Sequence, residues 1–137
     1  MKSLQVFVLL SLILSLTFSG CGTPSKDEQI RGDWNFIDVS MASGPVSALN
    51  PKVKDQLKGS SMHFNADHTF SFKQLSDDPN RKEQKGTYYL SKDEKFVFLV
   101  PLKETPNQQT QQVDIVSLSK DSMTLIMGKS LKMVFSR

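Results

Sequence analysis

The sequence predicts an all-β domain, an up-and-down antiparallel barrel of eight strands with one short helix, and three observations carry that reading. Apolar and polar residues alternate with a period of two from Ile30 onward, with Ile30, Gly32, Trp34 and Phe36 placed on one face. Seven further segments of this kind follow at short spacing, separated by clusters of Asp, Asn, Ser, Gly, Lys and Pro that favour turns. The connections are too short for long crossovers, so successive strands pair as hairpins. Eight strands with one apolar face each bury those faces and lose their sticky edges when the sheet closes on itself.

The chain begins differently. Met1-Lys2 is followed by the apolar run at 5–18 and then by the small residues Ser19 and Gly20, the layout of an export signal over residues 1–20. The run is shorter than the roughly 20 apolar residues a membrane span requires. Phe18-Ser19-Gly20-Cys21 resembles the bacterial lipobox, although Phe18 stands where leucine is usual. That resemblance implies cleavage before Cys21 and lipidation of its thiol. It accounts for a lone cysteine in an exported chain, which has no disulfide partner. One acyl chain holds a protein only marginally, whereas a diacylglycerol thioether plus an acylated amino terminus anchors it stably. Cutting after residue 20 of 137 leaves 117 residues, enough for one domain. Loss of Lys2 takes 17 basic side chains to 16 against 14 acidic ones, a balance that argues against a nucleic-acid partner.

Residues 21–29 hold no large apolar side chain and read as a solvated, flexible tether. Within it Ser25-Lys26-Asp27-Glu28 resembles the Lys-plus-acidic export tag of surface lipoproteins in Bacteroidetes, while its bare composition is that of any polar linker. The barrel domain is placed at 30–137, with strands at 30–39, 61–65, 69–75, 85–90, 95–101, 111–118, 122–127 and 131–136. Between the first two, Asn50-Pro51 supplies a helix start, Val53 and Leu57 a narrow apolar stripe, and Gly59 a stop, which predicts a short helix at 50–57 acting as a lid or plug.

Catalytic chemistry finds little support. His63 and His68 are the only histidines, and five residues apart they point to opposite faces of a strand, unlike the convergent ligands of a zinc site. Asp77-Asp78 beside Asn80 lacks the ligand spacing of a calcium loop. No nucleophile elbow or phosphate-binding glycine loop occurs, so neither an enzyme nor a bound cofactor or metal is expected. Asp38, by its spacing from Trp34 and Phe36, either points into the barrel as a polar anchor or ends a strand in solvent.

Gly32-Asp33-Trp34 resembles the Gly-x-Trp of the lipocalins, in which the tryptophan closes the barrel floor and a basic residue of the last strand packs across it. Arg137 is the first candidate for that partner, Lys132 the second. Together with Phe64-Asn65-Ala66-Asp67-His68-Thr69-Phe70 and Gly86-Thr87-Tyr88-Tyr89-Leu90, the pattern resembles the lipocalin-like domains of Bacteroidetes lipoproteins over residues 30–137. His68 stands where those domains carry glycine, so Asn65 or Asp67 is expected to supply the left-handed position. The resemblance implies a fold rather than a particular function.

Strand parity predicts a pocket lined by Trp34, Phe72, Tyr88, Phe98, Met123 and Met133, and soft methionine surface suits varied apolar guests. A barrel of this size is either filled by its own side chains or holds one small ligand. Two classes of function therefore stand: a membrane-anchored module binding a small hydrophobic or amphipathic ligand, or a protein-interaction or inhibitor module on a filled barrel, without a small-molecule ligand, that engages an envelope protein through loops such as 77–84 and 103–112. The expected location is the cell envelope, lipid-anchored at the outer membrane, with either the periplasmic or the surface face open to it.

Overall fold

The computed structural model describes residues 22–44, 49–75, 83–102 and 109–137. Cys21, the acidic turn at 77–80 and most of the loops 77–84 and 103–112 lie outside the described residues. Strands β1 (Gly32–Met41), β2 (Ser61–Phe64), β3 (Thr69–Lys73), β4 (Gln84–Leu90), β5 (Phe96–Pro101), β6 (Gln111–Leu118), β7 (Ser122–Met127) and β8 (Leu131–Ser136) pair antiparallel in sequence order. Strand β8 returns to β1 through Asn35 to Met41, so the barrel is closed.

Helix α1 (Lys26–Ile30) occupies the segment expected to be a flexible tether, and Ile30, expected on the first strand, is its buried last residue. The Ser25 side chain accepts from the Glu28 N–H while the Glu28 carboxylate accepts from the Ser25 N–H, a reciprocal capping box. Helix α2 (Pro51–Leu57) lies where it was expected, capped by Asn50, whose side chain accepts from the Lys52 N–H. Among the described residues no helix is long and apolar enough to cross a membrane.

The barrel has two unlike ends. Residues 22–25 with α1, the turns after β2, β4 and β6, and Arg137 gather at one end; α2 and the connections after β3, β5 and β7 lie at the other. In the β2–β3 turn the left-handed residue is His68 itself (φ 62°), rather than Asn65 or Asp67. Asp67 holds the turn by accepting from the Thr69 N–H at 3.0 Å and the Thr69 hydroxyl at 2.6 Å. Gly86 faces the interior where a Cβ would stand 2.1 Å from the Val100 carbonyl oxygen, so only glycine fits.

Two bulges reset which side chains face inward. One falls between Phe36 and Asp38 on β1, so Val39 turns inward opposite Met133 while Asp38 pairs across from Val134 on the outer face. Asp38 there lies 2.7 Å from Lys54 Nζ, an ion pair that ties α2 to β1. The other falls between Ile115 and Ser117 on β6 and leaves Val116 outside.

Candidate functional site

The closed end is built around Trp34. Its ring has no exposed surface, and its Nε1 donates to the Ile30 carbonyl at 2.7 Å. The Arg137 guanidinium stacks over the ring, 4.4 Å from its centroid, and donates to the carbonyls of Gln29 (2.6 Å) and Arg31 (2.5 Å). Three carbonyls at the end of α1 are thus satisfied by the two residues that the lipocalin resemblance assigns as floor and first candidate clamp. Arg137, and not Lys132, is the basic partner. Gly32 (φ 117°) makes the sharp entry into β1 beneath that guanidinium.

Above this floor the barrel is filled. Met62, Phe64, Met123, Leu125 and Phe135 expose 1% of their surface or less, so no water-sized void borders them. Tyr88 packs edge-on against Phe64 at 4.9 Å between ring centroids, and its hydroxyl donates to the Asn65 carbonyl at 2.9 Å. Burial pushes the Tyr88 phenol up from its ordinary value, with the Asp27 carboxylate adding to the effect.

The other end is looser. Phe72, Met127 and Leu131 face inward but are only partly buried. A gap of about 20 Å³, enough for roughly one water molecule, lies among Phe70, Gln84, Leu99, Pro101 and Gln111. Gln111 also borders an open hollow of about 390 Å³ with Gln112, Val113, Met127, Gly128, Ser130 and Leu131. The polar groups of this rim are amides, a hydroxyl and main-chain atoms, with no ionised side chain among them. It can cover an apolar surface and hydrogen-bond a neutral polar group.

A polar chain runs along the outside of the closed half. Asn65 Nδ2 donates to Thr69 Oγ1 at 2.9 Å, which directs Asn65 Oδ1 toward His63 Nε2 at 2.7 Å, while His63 Nδ1 faces Asp33 at 2.6 Å. His68 Nε2 approaches Asp27 at 3.2 Å, and Asp27 also binds Arg31. The two histidines serve separate contacts, and among the described residues no three His, Cys, Asp or Glu side chains converge as metal ligands.

Two solved structures share this architecture. One is a lipocalin-like protein from Bacteroides uniformis, 18% identical, with a TM-score of 0.58 over 80% of this chain and 98% of that one. The fold is a lipocalin-like barrel. The second, a DUF4847 family protein from Bacteroides vulgatus, is 16% identical and has a TM-score of 0.54 over 82% of this chain and 96% of that one. No protein-family model and no curated protein matches the sequence. At such identities the likeness concerns the path of the backbone and not a site.

Within the lipocalin-like barrel, the residues read from the sequence as a pocket do not line one together. Trp34, Tyr88, Met123 and Met133 face inward but are buried as core packing, at 2% exposure or less. Phe72 alone reaches the open end. Phe98 faces outward, against expectation: it pairs with Tyr89 and stacks on it at 4.8 Å with the rings 16° apart. The inward positions of β5 are Val97 and Leu99. Every residue of the run Phe96 to Pro101 is apolar, so the sequence offers no alternation from which to choose a face. Of the rim, Gln111 and Gln112 fall in the loop 103–112 read from the sequence as a contact surface; Val113, Met127 and Leu131 join them only because β6, β7 and β8 are neighbours.

Proposed function

We propose that this chain is an exported lipoprotein, lipidated at Cys21, whose lipocalin-like barrel takes the apolar part of a small amphipathic ligand at its open end without catalysing a reaction. The observation that carries the reading is the asymmetry of packing. The largest side chains of the closed half are at most 2% exposed, while partly buried Phe72, Met127 and Leu131 and the 390 Å³ hollow lie at the other end. Ligand sites span roughly 300 to 1,000 Å³, so the hollow suits a small guest or one end of a longer one.

Native mass spectrometry of the full chain extracted from its own envelope tests the binding: a copurifying small molecule is expected, lost on Leu131→Trp, which fills the hollow. A chain that carries nothing and shows no thermal shift with lipids, bile acids or haem refutes it. Anchoring is tested separately, since Cys21→Ser is expected to abolish fatty-acid labelling. The filled closed half also favours a second reading, a rigid scaffold that engages an envelope protein by its loops. Under that reading the same extraction yields a protein complex and no small molecule.

A further inference from the structure

The outer surface of β4, β5 and β6 groups its aromatic side chains toward the closed end, while Val100 and the half-exposed Leu102 extend the apolar face toward the open end. Tyr89 is 50% exposed and stacked on Phe98; Phe96 shares that face two residues nearer the turn, and the β6 bulge adds Val116, 51% exposed. Aromatic and β-branched side chains grouped on an outer sheet face leave water when something covers them. What covers them follows from where the chain enters the barrel.

The described chain starts at Gly22, one residue after Cys21, and Lys26 at the start of α1 donates from Nζ to the Glu94 carbonyl in the β4–β5 turn at 2.9 Å. The entry point is therefore beside the turn that closes the strands bearing Tyr89, Phe96 and Phe98. Residues 22–25 reach at most about 14 Å when fully extended. They are not fully extended, because Gln29 Nε2 donates back to the Pro24 carbonyl at 2.6 Å. A cysteine held in lipid on so short a leash keeps the closed end at the headgroups and brings the β4–β6 flank within reach of them.

We infer that the closed end and the lower flank of β4 to β6 rest on the lipid surface, with Tyr89 and Phe98 in the interfacial layer and the open end facing away. Tyrosine suits that layer because its ring is apolar and its hydroxyl stays hydrated. Lys92 in the adjoining turn lays its stem along the same surface with its ammonium group at the phosphates, whereas Lys95 faces Asp93 at 3.8 Å. Asp93, held as its anion by the Ser91 hydroxyl at 2.6 Å, and Glu94 balance these two lysines, so the turn adds no net charge and the contact rests on the apolar side chains and the short leash. The open end lies a six-residue strand further out, roughly 20 Å, where a ligand or partner meets it from the aqueous side. This placement rests on lipidation at Cys21.

The test uses the full lipidated chain in vesicles of phosphatidylethanolamine and phosphatidylglycerol whose acyl chains carry a nitroxide near the headgroup. Tryptophan is introduced by Tyr89→Trp at the flank or by Leu75→Trp at the open end, both exposed positions that tolerate it, and the unsubstituted chain gives the Trp34 background. The nitroxide is expected to quench the position 89 variant severalfold above that background and to leave the position 75 variant at it. Equal quenching of the two, or stronger quenching at 75, overturns the orientation while leaving the anchor intact. A chain that carries no acyl label and does not float with the vesicles overturns the anchor, and the docking with it.

Discussion

Arg137 shows how much one side chain does here. It stacks on Trp34 at 4.4 Å and donates to two carbonyls at the end of α1, so its loss removes a cation–π contact and two charge-assisted hydrogen bonds. Arg137→Met keeps the stem but not the planar donor, and is expected to cost about 2 kcal/mol, measured by urea unfolding. Lysine at 137 restores only part of this, because an ammonium cannot stack and fork at once. Gly86→Ala tests the opposite end. Its Cβ meets the Val100 carbonyl oxygen at 2.1 Å and Pro101 Cα at 2.9 Å, both main-chain atoms that cannot swing aside. The expected loss is about 3 kcal/mol, the upper range for overpacking, with unchanged stability as the contrary result.

Among the elements, α1 is the one whose role the sequence hid. Ser25→Ala removes the capping box and is expected to cost about 1 kcal/mol, with faster amide exchange at residues 28–30 as its local sign. The turn and helix contacts also set an acid limit. Lys54 holds the Asp38 carboxyl below its ordinary range, the Thr69 hydroxyl does so for Asp67, and the Ser91 hydroxyl for Asp93. A carboxyl depressed in the folded state stabilises above its unfolded pKa, near 4, and that contribution is lost as the pH falls through the lower folded value. The melting temperature is therefore expected to hold from pH 7 to about 4.5 and to drop below 4, with a shallower drop in Asp67→Asn. Element boundaries were largely legible, and β6, β7 and β8 fall where alternation and turn residues put them. Ser25 to Glu28 was read as part of a tether because a helix of five residues has no apolar periodicity to betray it, although its S-x-x-E spacing is that of a capping box. The directions of Asp38 and Phe98 were not legible, since a bulge moves the first by one residue and an unbroken apolar run leaves the second undecided.

At the scale of the whole molecule, the account is of a barrel sealed and filled at the end where the chain enters and open at the other. The sealed end was legible because Gly32-Asp33-Trp34 and Arg137 resemble the lipocalin floor and its basic clamp, and the structure brings the two side chains together. The open end could not be read that way. Its rim forms only when β6, β7 and β8 close beside one another, and inward parity does not distinguish packing from lining. The methionines separate the two directly: Met62, Met123 and Met133 are buried in the filled half, whereas Met127 borders the hollow and Met41 pairs with Leu131 at its edge. Methyl NMR of these residues during titration with dodecanoate below its micelle concentration is the most direct test. The account predicts that Met127 and Met41 shift saturably while Met62, Met123 and Met133 stay in place; movement of the buried three, or of no methionine at all, contradicts it.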